Sequence, residues 1–198
     1  AAVLHHCHKE NSPVELGEFL SLTPLAVGDD EEKEMRIILK KENGKYSFSF
    51  ISRVNPGEDG WLEHARGKAA VPAQEETRQF NVKEIEETCS EQEKVYDRGA
   101  FDGRQGFLTF GPRWNNLERI KSGAGQALGF LELPTPFAAD LESYKLHPAL
   151  LDVGNTVLKR TYSDGNSYLP MFYKRVGIKR GLPPKVFFHV KNAAENKP

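Results

Sequence analysis

The clearest candidate for chemistry in this sequence is Asp152, which closes the run Leu146-His147-Pro148-Ala149-Leu150-Leu151-Asp152. Pro148 suits the first position of a helix, where its missing N–H is not needed, and Asp152 then lies one turn further along the same face. Apolar surroundings disfavour the charged form of a carboxyl group, so we expect this Asp to stay protonated at neutral pH. The sequence therefore predicts a general acid at Asp152. The alternative is a structural hydrogen bond to a neighbouring backbone group.

Histidine and cysteine side chains offer a second type of chemistry. The run His5-His6-Cys7-His8 contains only residue types that bind metals. Adjacent residues of a helix point in different directions, however, so few of these side chains can converge on one ion. Zinc binding is therefore the less favoured interpretation. His147 directly precedes Pro148, and we expect it to brace the start of the helix rather than to act as a base.

The elements that must position these residues begin with a hairpin in the first half, residues 1–71. Asn43-Gly44 joins two strand-length segments, Glu34 to Lys41 and Lys45 to Arg53, and Asn-Gly is the strongest short-range signal for a β-hairpin. In the second segment aromatic residues alternate with serines, which predicts one buried face. A further strand over Trp61 to Val71 completes the predicted antiparallel sheet.

Residues 72–81 are predicted to be a connector, because Pro, Ala, Gln and Glu dominate there and periodic apolar residues are few. The second half, residues 82–198, is predicted to begin with a helix over Val82 to Tyr96 that has a thin apolar stripe. The other predicted elements are a hairpin of Leu117 to Ile120 with Gln126 to Leu133 and closing strands over Met171 to Ile178 and Lys185 to Lys191.

The composition argues against several classes of function. The chain has 27 Lys and Arg against 28 Asp and Glu, so no bulk charge would attract nucleic acid or an anionic membrane. No apolar stretch is long enough to span a bilayer, and the start lacks a basic region followed by an apolar core. Cys7 and Cys89 are expected to be free thiols. These features predict a cytoplasmic protein.

Short motifs follow one another in the second half. They are Phe110-Gly111-Pro112-Arg113-Trp114, the Leu146 to Asp152 run and Tyr168-Leu169-Pro170. In order and spacing this region resembles the dehydratase domains of modular polyketide synthases, which carry an aromatic-Gly-Pro-x-aromatic motif, an LHPALLD motif with the catalytic Asp and a YLP segment near the end. The resemblance implies an α+β fold of the double hotdog type, in which two antiparallel sheets each wrap a central helix. The first hotdog would be incomplete here.

The resemblance also implies a reaction, the elimination of water from a 3-hydroxyacyl thioester held on the phosphopantetheine of an acyl carrier protein. It calls for no metal and no organic cofactor. A histidine would take the proton next to the thioester carbonyl, and Asp152 would protonate the departing hydroxyl. The implied partners are the acyl carrier protein, neighbouring domains of a megasynthase and a second copy of the chain. Besides Asp152, the candidate site residues, expected to bind substrate, are Phe110, Gly111, Pro112, Trp114, His147, Pro148 and Thr156.

For the aromatic-Gly-Pro-x-aromatic motif the alternative is an ordinary turn with core aromatic residues. The sequence also departs from the family. The catalytic histidine of the family lies in a His-x-x-x-Gly-x-x-x-x-Pro motif, and this sequence contains none. Phe110 stands where many members have Tyr, and Thr156 stands where they have Gln or His, one helical turn after Asp152. Pro13 to Val27 resembles the segment that follows the first hotdog helix, so the chain is expected to start within a domain.

Other functions stay open at this point. A dehydratase-like domain without its catalytic histidine can serve as a non-catalytic docking or structural module of a megasynthase. The same fold can also carry altered chemistry, such as a shift of a double bond or the closure of an oxygen heterocycle. The residues encoded ahead of Ala1 would help to separate these functions from dehydration, because they would show whether the histidine motif is present.

Overall fold

The computed structural model describes residues 12–53, 60–72, 79–105, 108–161 and 170–192. These residues form two compact units, each with its own antiparallel sheet, which confirms the predicted α+β class. The strands and α-helices are β1 (Val14–Ser21), β2 (Glu34–Glu42), β3 (Lys45–Arg53), β4 (Leu62–Ala70), α1 (Val82–Thr88), β5 (Gln92–Val95), β6 (Arg104–Gln105), β7 (Leu108–Thr109), β8 (Leu117–Gly123), β9 (Gln126–Glu132), α2 (Asp140–Ser143), α3 (Pro148–Asn155), β10 (Phe172–Ile178) and β11 (Lys185–Lys191).

The first unit contains a five-stranded sheet in the order β10-β1-β4-β3-β2. The β2–β3 hairpin turns at Asn43 and Gly44, whose φ angles of 50° and 76° supply the left-handed backbone that a two-residue hairpin turn requires. Tyr46 and Phe48 of β3 are buried against Ala69 of β4. The predicted hairpin, its buried aromatic face and the strand that follows are confirmed.

Strand β10 corrects a prediction. The sequence pattern assigns Met171 to Ile178 to the second half, whereas β10 pairs with β1, from Val14 opposite Ile178 to Leu20 opposite Phe172. The segment 82–198 is therefore not one unit, because this strand belongs to the first sheet. Alternating side chains identify a strand and its faces but carry no information about which strand lies beside it. Most of the predicted connector, residues 73–78, lies outside the described residues.

The second unit contains a four-stranded sheet in the order β11-β9-β8-β5, and α3 packs on it. The predicted β8–β9 hairpin is confirmed, with its turn at Ala124 and Gly125, both of positive φ. The core is apolar, and its buried residues are Leu117, Ile120, Ala127, Leu131, Leu133, Leu150, Val153, Val157, Leu158 and Val186. A helix lying on an antiparallel sheet is the arrangement that the family resemblance implies for this half.

Helix α1 is shorter than predicted. It begins after Asn81, whose side-chain oxygen accepts a hydrogen bond from the Lys83 backbone N–H at 3.2 Å, and it ends at Thr88, with Cys89 as its C-cap. The chain then forms β5, which pairs with β8 and is exposed along its whole length. The sequence pattern extends the helix to Tyr96 because an exposed strand of charged residues resembles the polar face of a helix.

Several predictions concern residues outside the described part. They are the run His5-His6-Cys7-His8 and the first two residues of Tyr168-Leu169-Pro170. Within the described ranges, no group of three or more His, Cys, Asp or Glu side chains is placed to hold a metal ion. No helix of the same ranges is long and apolar enough to cross a membrane. Cys89 is a free, buried thiol.

Candidate active site

Helix α3 positions Asp152. The helix begins at Pro148, as predicted, with His147 in the preceding cap position. Its buried face includes Leu150 and Val153, which pack into the core of the second unit. Each residue advances 100° around a helix, so Asp152 lies at the flank of that face. The Asp152 side chain is accordingly half-buried, less enclosed than the apolar run predicts, yet not on the open surface.

A tryptophan holds the Asp152 carboxyl group. The Trp114 indole Nε1–H donates a hydrogen bond to Asp152 Oδ2 at 2.7 Å. Trp114 ends a short 3-10 helix, Pro112–Trp114, which the chain enters through Gly111. The Trp114 ring lies beside that of Phe110, with centroids 5.8 Å apart and a 37° angle between the planes. The aromatic-Gly-Pro-x-aromatic motif and the Asp of the second motif therefore meet in the fold.

An ionic network stands beside the start of α3. Arg113 Nε donates to Asp140 Oδ2 at 2.5 Å, and His147 Nε2 lies 3.3 Å from the same oxygen. The hydrogen bond from Arg113, followed by that from His147, lowers the pKa of Asp140, and the Asp140 carboxylate in turn raises the pKa of Arg113. His147 is only 1% exposed. This placement fits the bracing role expected for His147, whereas its contact with substrate stays a prediction.

Asn116 is a site residue that the sequence analysis missed. It is fully buried, and its Nδ2 donates to Arg113 O at 3.0 Å and to Ala149 O at 3.1 Å. The amide thus ties the turn that carries Trp114 to the first turn of α3. The sequence gives little indication of this role, because Asn116 is simply a polar residue between the aromatic-Gly-Pro-x-aromatic motif and the apolar strand that follows. Among the described residues, Asn116 Oδ1 and His147 Nδ1 are buried without a hydrogen-bond partner.

The Thr156 hydroxyl makes its hydrogen bonds to groups other than Asp152. Helix α3 ends at Asn155, and Thr156 is its C-cap. The Thr156 hydroxyl donates to Val153 O at 2.8 Å and accepts a hydrogen bond from Arg160 Nε at 3.0 Å. Its hydrogen-bonding capacity is therefore directed to the end of the helix. Of the other predicted site residues, Gly111, Pro112 and Pro148 are exposed and Phe110 is half-buried.

The other described histidines serve as structural links. In the first unit His64 bridges Ser52 Oγ, 2.7 Å from its Nε2, and Thr23 O, 3.0 Å from its Nδ1. Both ring nitrogens are therefore occupied. In the second unit His189 is half-buried, and its Nε2 lies 2.8 Å from Gln126 Oε1.

Comparison with known proteins identifies relatives of this chain. The family model described as the polyketide synthase dehydratase N-terminal domain matches residues 73–197. The polyketide synthase PksM of Bacillus subtilis (strain 168) is 23% identical over 197 residues, which are 95% of this chain and 5% of that protein. The polyketide synthase GfsE of Streptomyces halstedii is 25% identical over 176 residues, 83% of this chain and 4% of that protein. The chain thus spans only a small part of these relatives.

Solved structures share the fold. The dehydratase domain from the CurF module of the curacin polyketide synthase is similar with a TM-score of 0.81 and 22% identity, and the match covers 98% of this chain and 71% of that chain. An N-terminal dehydratase from the difficidin assembly line is similar with a TM-score of 0.79 and 14% identity, covering 96% and 67%. These likenesses confirm the double hotdog fold. The expected incompleteness of the first hotdog stays a prediction.

Proposed function

Since this chain belongs to the polyketide synthase dehydratase family, we propose that it supplies the general acid for the elimination of water from a 3-hydroxyacyl thioester carried on an acyl carrier protein. One observation carries the proposal. Asp152 is half-buried at the end of its motif, and one carboxyl oxygen is held by Trp114. The other oxygen, Oδ1, accepts no hydrogen bond from the described residues. It is therefore available to a substrate hydroxyl.

In the proposed reaction, protonated Asp152 gives its hydrogen to the β-hydroxyl of the substrate. The bond between C3 and oxygen breaks, and its electron pair leaves with the water formed. The electrons of a C2–H bond form the C2=C3 double bond of the enoyl thioester, and the C2 proton passes to a base. We assign this base to an imidazole supplied by the intact synthase, because the His-x-x-x-Gly-x-x-x-x-Pro motif does not occur in the sequence.

The surroundings of Asp152 suit a group that must deliver a hydrogen to substrate rather than to water. Leu150 and Val153 on either side of Asp152 along α3 pack into the apolar core, and the Trp114 indole, which also packs against that core, holds the carboxyl group. Partial exclusion of water strengthens polar interactions inside a site. The proposal requires no metal or organic cofactor. Its partners are the acyl carrier protein and the neighbouring domains of the synthase.

The test uses the intact synthase that carries this chain, loaded with a 3-hydroxyacyl group on its carrier domain. Mass spectrometry of the pantetheine-bound product is expected to show the loss of one water. Asp152→Asn is expected to slow this loss by a factor of about 100 to 10,000, the usual contribution of a general acid. Glu142→Gln, which also turns a carboxylate into an amide but at an exposed position of α2, is the matched control and should retain the rate.

The proposal is overturned if the intact synthase does not dehydrate the thioester, or if Asp152→Asn reacts as fast as the unchanged protein. If a substrate that carries both an enoyl double bond and a free hydroxyl gave a product of unchanged mass with a closed oxygen ring, the activity would be that of a cyclase instead. Migration of the double bond in an enoyl substrate, without hydration or dehydration, would identify an isomerase.

A further inference from the structure

The orientation of the Asp152 carboxyl group rests on Trp114. The bond from the indole Nε1–H to Oδ2 is the one hydrogen bond that Asp152 makes to the described residues. A side chain one turn further along α3 would be another natural partner. Thr156 occupies that position, but its hydroxyl is engaged by Val153 O and Arg160. The donor for Asp152 thus comes from a different segment of the chain.

Trp114 is itself held in place before any substrate binds. Its backbone N–H donates to Gly111 O at 3.0 Å, and its ring contacts both Phe110 and the core of the second unit. The segment that carries it is tied to α3 a second time, because Asn116 Nδ2 donates to Ala149 O. A donor fixed in this way orients the carboxyl group without further ordering when substrate enters.

An indole N–H donates and cannot accept, so Trp114 can bind only an oxygen that offers a lone pair. When the carboxyl group is protonated, the bond to Oδ2 leaves the acid hydrogen on Oδ1. We propose that Trp114 is a positioning residue, which selects Oδ1 as the oxygen that carries the hydrogen and directs it away from the indole. This inference rests on the proposed function and adds to it the group that orients the acid.

The first test measures dehydration by the intact synthase. Trp114→Phe keeps an aromatic ring but removes the donor, and it is expected to lower kcat by a factor of about 10 to 100 with little change in KM, because misplaced catalytic groups lose rate rather than binding. Trp61→Phe makes the same chemical change in the first unit and is expected to retain kcat. The double variant Trp114→Phe/Thr156→Gln returns a donor at the position four residues after Asp152, and at least about tenfold recovery of kcat is expected.

An unchanged kcat in Trp114→Phe would overturn the inference. A loss of kcat that the double variant does not reverse, in variants whose thermal unfolding matches that of the unchanged protein, would overturn it as well, since the tryptophan would then act through its bulk. If Trp114 only filled space, a new hydrogen-bond donor at position 156 would not restore kcat.

The second test needs no activity. The chain contains two tryptophans, so the NMR spectrum of the 15N-labelled chain has two indole N–H signals, and Trp61→Phe identifies that of Trp114. Asp152→Ala removes the acceptor, and we expect the Trp114 signal to shift and its hydrogen exchange to quicken by at least about tenfold, while the Trp61 signal stays in place. If the synthase proves inactive but the Trp114 signal responds, the proposed function fails and the positioning contact stands. If neither property of the Trp114 signal changes, the positioning role is refuted even in an active enzyme.

Discussion

The substitution Gly154→Ala tests how closely α3 must approach its sheet to hold Asp152. A Cβ atom at position 154 would lie 2.3 Å from Cδ1 and Cε1 of Phe188 and 2.5 Å from its Cγ. Ordinary contacts of a Cβ begin at 3.4 Å, so the helix and the ring would have to separate by about 1 Å. Rotation of the ring about its own axis gives no relief, because Cγ lies on that axis.

Two opposing terms set the magnitude. Alanine is a better helix former than glycine by up to about 1 kcal/mol. An added methyl group in a tightly packed region is unfavourable by about 1 to 3 kcal/mol. The contacts with Phe188 involve the inner ring atoms rather than a flexible end, so we expect the second term to exceed the first. Gly154→Ala should therefore lower the free energy of unfolding by about 1 to 2 kcal/mol.

Urea unfolding followed by tryptophan fluorescence provides the assay. In a Trp61→Phe background Trp114 is the remaining tryptophan, so the signal reports on the second unit. Gly181→Ala is the matched control, because it lies in the same unit and a Cβ there would come no closer than 3.6 Å to its neighbours, and its effect should stay within about 0.5 kcal/mol. In a Phe188→Ala background the penalty at position 154 should disappear. The reasoning is refuted if Gly154→Ala stabilises the chain that contains Phe188, or if the penalty persists after the ring is removed.

Two further predictions concern ionisable side chains. Arg113 and His147 lower the pKa of Asp140, and a lowered carboxyl pKa stabilises the folded state at pH values where the group is ionised and loses that effect as the pH falls through the folded pKa. Asp140→Asn should therefore reduce the free energy of unfolding at neutral pH, and the difference from the unchanged chain should narrow below about pH 4, the ordinary range of the group. Paired urea titrations at neutral and acidic pH measure this, and a constant difference would contradict it. Burial raises the pKa of the Cys89 thiol, so in a Cys7→Ser chain a disulfide reagent should modify Cys89 at least about 100-fold more slowly in buffer than in urea. Equal rates would show that the thiol is accessible.

The turns were the most predictable part of the fold, because their chemistry is local. Asn43 and Gly44 adopt positive φ angles, which few residue types other than Gly and Asn tolerate. Ala124 and Gly125 also have positive φ angles, although alanine is unusual in that conformation. Both hairpins follow from these short signals and the flanking apolar residues. Pro148 likewise marks the start of α3 because its ring fixes a helical φ angle.

The errors arose where neighbours distant in sequence decide the structure. Strand β10 was recognised, but its partner β1 lies more than 150 residues away, with Glu15 opposite Gly177. The sequence pattern predicts helix for the segment after α1, because Val95 fits a helical stripe. Its pairing with β8, Val95 opposite Arg119, overrides that local preference. Residues that pair at the edge of a sheet can be polar throughout, so their pattern resembles that of an exposed helix.

The candidate site shows the same division between local and distant information. A motif marks Asp152 and a second motif marks Trp114, but the two residues are 38 positions apart, and nothing in either motif states that they share a hydrogen bond. The structure adds this bond and also shows that Thr156 caps the end of α3, with its hydroxyl donating to Val153 O. For this reason we treat Trp114 and Asp152 together, rather than Asp152 alone, as the unit to compare between members of the family.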